Sequence, residues 1–173
     1  MQELDVCAVL VDVIETMSAG QPVPSLDCQA RGIFVKGDQD RLSAVVGHVV
    51  RNAQDATPDT GQILVRLFKQ HDHAVIEVQD NGSGMDETFI RTGLFKPFTS
   101  TKGNSGMGIG AYETREFIRS LGGDVEVISR PDEGTTFRMR IPISTERKSS
   151  VKFLDNSKNG KIDDHRFKET AGC

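Results

Sequence analysis

Asp80-Asn81-Gly82-Ser83-Gly84-Met85 stands one residue beyond Ala74 to Val78, a run whose β-branched and apolar residues read as a strand, and this junction decides the fold. A strand that delivers a carboxylate into a turn with two glycines lets the backbone approach a flat ligand more closely than any Cβ would allow. The Asp80 carboxylate can accept from the exocyclic amine of adenine, which selects an amino purine over an oxo one. The same hexapeptide also reads as a plain hairpin turn, since Asn-Gly is a leading turn dipeptide. What flanks it therefore has to decide.

Working backward, Ile63 to Phe68 reads as a second strand, joined to the first around His71 and Asp72 as a hairpin. Before it, Asp38 can cap a long helix in which Leu42, Val45, Val46, Val49, Val50 and Ala53 share one face and which ends before Pro58 and Gly61. On that helix His48 and Asn52 stand four residues apart and project together, with Asp55 and Ala56 a turn further on. An amide oxygen such as that of Asn52 is a hard ligand suited to magnesium, while the alternative is an ordinary solvated face. An earlier stripe of Val6, Val9, Leu10, Val13, Ile14 and Met17 predicts another amphipathic helix, stopped by Gly20, Pro22 and Pro24, and Ile33 to Lys36 reads as a short strand.

Working forward, Phe95-Lys96-Pro97-Phe98-Thr99-Ser100-Thr101-Lys102 leads into Gly103, Gly106, Gly108 and Gly110 just before a helix that runs from Ile109 or Ala111 to Leu121. Backbone N–H groups at a glycine-rich helix start form an anion site aided by the helix dipole, so phosphates fit there. Lys102 can add charge to a terminal phosphate, and Phe95 and Phe98 can pin the loop from Gly93 to Gly110 as a lid, the alternative being a floppy loop with incidental glycines. The pattern is neither GxxxxGK[ST] nor a strand-anchored GxGxxG, so P-loop and dinucleotide folds are not supported. Gly122 and Gly123 close the helix, and Val125 to Ile128 with Thr136 to Ile141 read as a last strand pair.

Composition bounds these readings. The 173 residues, 36% hydrophobic and 27% charged, suit one globular domain, expected over residues 1–144, followed by a polar, lysine-rich tail over 145–173. A net charge of −4 argues against nucleic acid as a partner. Cys7, Cys28 and Cys173 form neither a disulfide framework nor a zinc pattern, and no stretch is long enough to span a bilayer, so a cytoplasmic chain without membrane contact of its own is expected. In the tail, Asp155, Ser157, Asn159, Gly160, Ile162 and Asp163 follow calcium-loop spacing, but Arg166 stands where the bidentate Glu belongs, so a solvated turn is preferred.

Taken in order, His48-Val49-Val50-Arg51-Asn52-Ala53, Asp80 to Gly84, Phe95 to Phe98, Gly106 to Gly110 and Gly134-Thr135-Thr136-Phe137 resemble the five sequence boxes of the ATP-binding domain shared by histidine kinases, DNA gyrase B, Hsp90 and MutL. The resemblance implies an α+β fold of the Bergerat type, a two-layer α/β sandwich whose mixed, largely antiparallel sheet is covered on one face by helices. It implies ATP and Mg2+ as cofactors, with Asn52 the magnesium ligand, Asp80 the adenine contact and Thr135 supporting adenine through water. Further nucleotide contacts are implied for Asp55, Gly82, Gly84, Met85, Phe95, Phe98, Thr101, Lys102, Gly106, Met107, Gly108, Ile109 and Gly110. Gly108-Ile109-Gly110-Ala111-Tyr112-Glu113 is similar to kinases of the exosortase and PEP-CTERM surface-sorting system.

The function implied is a catalytic domain of a sensor histidine kinase, which donates the γ-phosphate to a histidine on a separate dimerisation domain of the same full-length protein, with a response regulator downstream. None of His48, His71, His73 or His165 has the helical His-(Asp/Glu)-hydrophobic-basic setting of a phosphoacceptor. Two residues depart from the kinase pattern. His48 stands where these kinases usually carry Asn and the hydrolysing relatives carry a Glu base, so His48 joins Asn52 as a candidate catalytic residue; Asp55 stands where many kinases have Lys or Arg. An ATP hydrolase, or a nucleotide-dependent binding module of the anti-sigma type, is the alternative, although hydrolases need a further domain to close the site and nothing after Ser144 is expected to provide one.

Overall fold

The structure, a computed structural model, describes residues 1–97 and 109–145. Helix α1 (Val6–Met17) starts where the Asp5 carboxylate accepts from the N–H groups of Cys7 and Ala8, and it buries Val6, Val9, Leu10 and Val13. Helix α2 (Gln39–Ala56) starts at Asp38, whose side chain accepts from the Arg41 N–H, and it buries the expected stripe from Leu42 to Ala53. Gln54 on α2 donates to the carbonyls of Met17 at 2.9 Å and Pro22 at 3.2 Å, which ties the open end of α1 to its neighbour. A third long helix, α4 (Ile109–Ser120), packs on the other side of α2.

Beneath these helices lies a five-stranded sheet in the order β2 (Ser25–Cys28), β4 (Ile63–Gln70), β5 (His73–Asp80), β7 (Gly134–Pro142) and β6 (Asp124–Arg130). Only the β2–β4 pair is parallel. Val65, Leu67, Ile76, Val78, Phe137, Met139 and Ile141 fall on one face in register and join the buried residues of α1, α2 and α4 in a single core. The predicted two-layer, largely antiparallel sandwich covered on one face by helices is what the chain forms. β3 (Phe34–Gly37) stands apart from this sheet and pairs with β1 (Gln2–Asp5).

Three elements were not legible in the sequence: β1, β2 and the six-residue helix α3 (Glu87–Thr92), which begins where the Asp86 carboxylate accepts from the Phe89 N–H at 2.7 Å. Ser144 ties the end of β7 back to the first strands, its N–H donating to the Phe34 carbonyl at 2.7 Å and its hydroxyl reaching Glu3 at 2.6 Å. The tail from residue 146 on, with its calcium-loop spacing, lies outside the described residues. Cys7 and Cys28 are free; burial first, then the neighbouring Cys7, pushes the Cys28 thiol up to about 12, which favours its protonated form.

The sheet's other face carries charge instead of helices. Register sets Arg66 opposite Glu77, Glu77 opposite Arg138 and Arg138 opposite Glu126, a row of alternating sign across four strands. Arg138 reaches Glu77 at 3.1 Å and Glu126 at 2.9 Å, and Arg140 adds a 3.0 Å contact to Glu126. Burial pulls the Arg138 guanidinium down, but its two carboxylate partners outweigh that and leave its pKa raised. Glu77 is only 5% exposed, so Arg138 is what compensates its charge. Arg138→Met is expected to lower the unfolding free energy in urea melts by about 2–3 kcal/mol, somewhat less than a fully buried pair would cost because Arg138 keeps some contact with water. Glu126→Gln, at a side chain 47% exposed, is expected to cost under about 1 kcal/mol. Equal losses for the two variants would mean that the burial of Glu77 does not set the cost.

Candidate functional site

Asp80 is the last residue of β5, and its position follows from register: Ile63 stands opposite on β4 and Thr135 opposite on β7. Its side chain lies on the helix-covered face and is only 7% exposed. A carboxylate kept this far from water needs donors, and Oδ1 accepts from the Gly82 N–H at 2.9 Å.

The loop beyond Asp80 is clasped from two sides. Towards α2, the Ser83 N–H donates to the Ala56 carbonyl at 2.9 Å, and Asn81 exchanges bonds with the Gln62 backbone at 2.8 and 3.3 Å. Towards the β6–β7 turn, the Ser83 carbonyl accepts from the Asp132 N–H at 2.7 Å and the Met85 N–H donates to Ser129 Oγ at 2.8 Å. The glycines acquire a reason internal to the fold. A Cβ on Gly84, which sits at φ +65°, would run into the Arg130 carbonyl, and one on Gly134, at φ +101°, into the Asp80 carbonyl. The sequence suggests glycines cleared for a ligand; the backbones they admit here belong to the chain itself.

Thr135 is the partner of Asp80 across the β5–β7 pair, and its hydroxyl lies 2.8 Å from Ser129 Oγ. Ser129 also donates to the Gly134 carbonyl at 3.0 Å. Sequence reasoning passed over Ser129, because a serine in an alternating strand carries no signal until register brings it beside Thr135.

At the other end of the site, His48, Asn52 and Asp55 lie exposed along α2, as their spacing predicts. His48 lies against Gly110 in the first turn of α4, since a Cβ placed on Gly110 would sit 3.2 Å from its Nδ1. Thr114 closes that turn by donating to the Gly110 carbonyl at 2.6 Å. Phe95 does pin its segment to the core: its ring centre is 6.2 Å from that of Phe137, and the Arg115 guanidinium covers it at 4.4 Å. Phe98, Thr101, Lys102, Gly106, Met107 and Gly108 lie outside the described residues.

Comparison with known proteins bears on the domain that carries these residues. Sporulation kinase C of Bacillus subtilis is 29% identical over 115 residues, 66% of this chain and 26% of its own length. The C4-dicarboxylate transport sensor protein DctB of Rhizobium meliloti is 34% identical over 118 residues, 67% of this chain and 18% of its own length. The chain thus spans about a quarter or less of these relatives. Among solved structures, the mycobacterial sensor histidine kinase MprB superposes with a TM-score of 0.73 at 22% identity, covering 82% of this chain and 97% of that one. Full-length ShkA in complex with AMPPNP gives 0.71 at 21% identity, covering 83% of this chain and 31% of that one. The model of a histidine kinase-, DNA gyrase B- and HSP90-like ATPase matches residues 37–145. That stretch runs from the end of β3 past β7 and takes in every element that carries the candidate residues, and the chain belongs to this family, as an ATP-binding catalytic domain of the histidine kinase type.

Proposed function

We propose that this domain holds Mg-ATP between Asp80 and the start of α4 and passes the γ-phosphate to a histidine on a separate dimerisation domain of the same full-length protein, with a response regulator receiving it downstream. The observation that carries the reading is the nearly buried Asp80 carboxylate beside Thr135 where two central strands end. Both side chains offer oxygen to one place, and the adenine exocyclic amine supplies the N–H groups that such a place selects. From there α2 runs along the site, with Asn52 and His48 on its exposed face and the first N–H groups of α4 next to His48. Those N–H groups suit phosphate oxygens. Among the described residues this anion site takes in Ile109 and Gly110; Phe98, Thr101, Lys102, Gly106, Met107 and Gly108 complete it in the reading from sequence, with Gly82, Gly84, Met85 and Phe95 shaping the base end and Asp55 closing the α2 side.

Asn52 offers one neutral amide oxygen, which fits an ion that takes its remaining ligands from water and phosphate, and magnesium bound there would neutralise phosphate charge. The rest of the chemistry is alignment: the bond from phosphorus to the ADP oxygen breaks as the acceptor imidazole nitrogen bonds to phosphorus, and the domain's task is to hold the two in line. His48, at the phosphate end, can also take a proton from a water and support slow hydrolysis. A cytoplasmic setting accords with ATP as substrate, and among the described residues no helix is long and apolar enough to cross a membrane.

Asp80→Asn tests the base site. Asn keeps an oxygen for the Gly82 N–H but turns an NH2 toward the adenine amine, donor against donor, so calorimetry is expected to show ATP affinity reduced at least about thirtyfold, on the order of 2 kcal/mol, with the melting temperature little changed. Unchanged affinity in the folded variant would sink the adenine assignment.

Transfer and hydrolysis separate with γ-labelled ATP and magnesium. The chain alone is expected to take up no acid-labile label, to label an added histidine-bearing dimerisation domain of its own full-length protein, and to lose that transfer in Asn52→Ala by about a hundredfold. Phosphate release should be slow and fall further in His48→Ala. Strong self-labelling, or fast release that vanishes in His48→Ala, would overturn the kinase reading in favour of another acceptor or of an ATPase.

A further inference from the structure

We infer that Ser129 is a positioning residue for adenine recognition: its hydroxyl fixes which way the Thr135 hydroxyl points and holds the far end of the Asp80–Met85 loop. The inference rests on the ATP reading above and extends it to a residue that does not itself touch the base.

A serine hydroxyl has one proton to give and two lone pairs to offer. The Met85 N–H at 2.8 Å occupies one lone pair. The Gly134 carbonyl at 3.0 Å can only accept, so it takes the single proton. Thr135 Oγ1 stands at 2.8 Å, and the contact can then be made only by the threonine's own proton, donated into the second lone pair of Ser129. All the capacity of Ser129 is used.

The consequence falls on Thr135. Its proton is committed towards β6, away from Asp80, with which it is paired across β5 and β7. Towards the ligand it therefore presents lone pairs only. Thr135 thus asks for a donor, directly or through a water that donates. A 6-amino purine supplies one. A 6-oxo purine brings an acceptor to the same place and leaves the Thr135 lone pairs unmatched. With Ser129 removed, the Thr135 hydroxyl can rotate and donate towards the base, which relaxes the discrimination, while Met85 loses the partner that holds the loop end against β6.

The test compares Mg-ATP with Mg-ITP, which carries oxygen in place of the 6-amine, by calorimetry on the wild-type chain, Ser129→Ala, Ser129→Thr, Ser129→Cys, Thr135→Val and the Ser129→Ala/Thr135→Val double variant. Ser129→Ala is expected to weaken ATP binding about tenfold and ITP binding less than twofold, so that the preference for ATP collapses. Ser129→Thr, which keeps the hydroxyl, should restore the preference, and the double variant should show the same preference as Thr135→Val alone. Ser129→Cys keeps the volume without a strong hydroxyl and is expected to behave as Ser129→Ala, which preserves the test if the alanine variant does not fold. A wild-type ATP-to-ITP ratio in folded Ser129→Ala or Ser129→Cys, including an equal loss for both nucleotides, would overturn the role of Ser129 while leaving ATP binding intact. Failure of the wild-type chain to bind ATP would instead overturn the function and this inference with it.

Discussion

The antiparallel pairing of β5 with β7 is the contact on which the rest depends. It runs from His73 opposite Pro142 to Asp80 opposite Thr135, and each pair has a separate consequence. Ile76 with Met139 and Val78 with Phe137 face the helices and form the floor of the core; Glu77 with Arg138 faces away and carries the charged row. The last pair brings the aspartate and the threonine together at the mouth of the site. A slip of one residue would exchange the two faces, burying Arg138 in the core and lifting Phe137 and Met139 to the surface, so the hydrophobic pattern that builds the sandwich also aims the site.

Helix α2 is the second wall, and it serves both purposes by turning different sides. Its buried stripe fixes it between α1 and α4, while the remaining side carries His48, Asn52 and Asp55. At its end the Ala56 carbonyl receives the Ser83 N–H, so the loop after Asp80 is attached to the same helix that carries His48 and Asn52. The distance between Asp80 and those residues is then set by a rigid rod rather than by a loop, which is what the proposed site for an extended ligand would require.

Much of this was legible in the sequence where physical signals are local. Asp38 before a stripe of valines announces α2, and Asp80 at the end of an apolar strand announces a carboxylate delivered to a turn. What escaped was what depends on distant partners. β2 is four residues with a single large apolar side chain, Leu26, and it lies parallel to β4, so no hairpin turn marks it. β1 contributes one buried residue, Leu4, and pairs with a strand about thirty residues away. α3 is six residues with nothing buried, too short for periodicity to register, although Asp86 is visible as a cap. Ser129 belongs with these: its chemistry lies wholly in the atoms that register brings to it. Gly84 was legible as a site of close approach, but only the structure identifies what approaches there and shows that Gly134 serves the same purpose.

The charged acceptor and its threonine neighbour come from different hairpins, Asp80 from the one that turns at His71 and Asp72 and Thr135 from the one that turns at Asp132 and Glu133. Each hairpin closes locally, but their union joins residues 55 positions apart, from Asp80 to Thr135, a slow kind of contact for a chain to find. On the proposed assignment neither hairpin alone would hold a base site. The nucleotide would then have nothing to grip until the long-range step of folding is complete, and would bind the finished sheet without rewarding any half-assembled form. Bound there, ATP would draw the equilibrium toward the joined state and act as a clamp across the seam between the two hairpins.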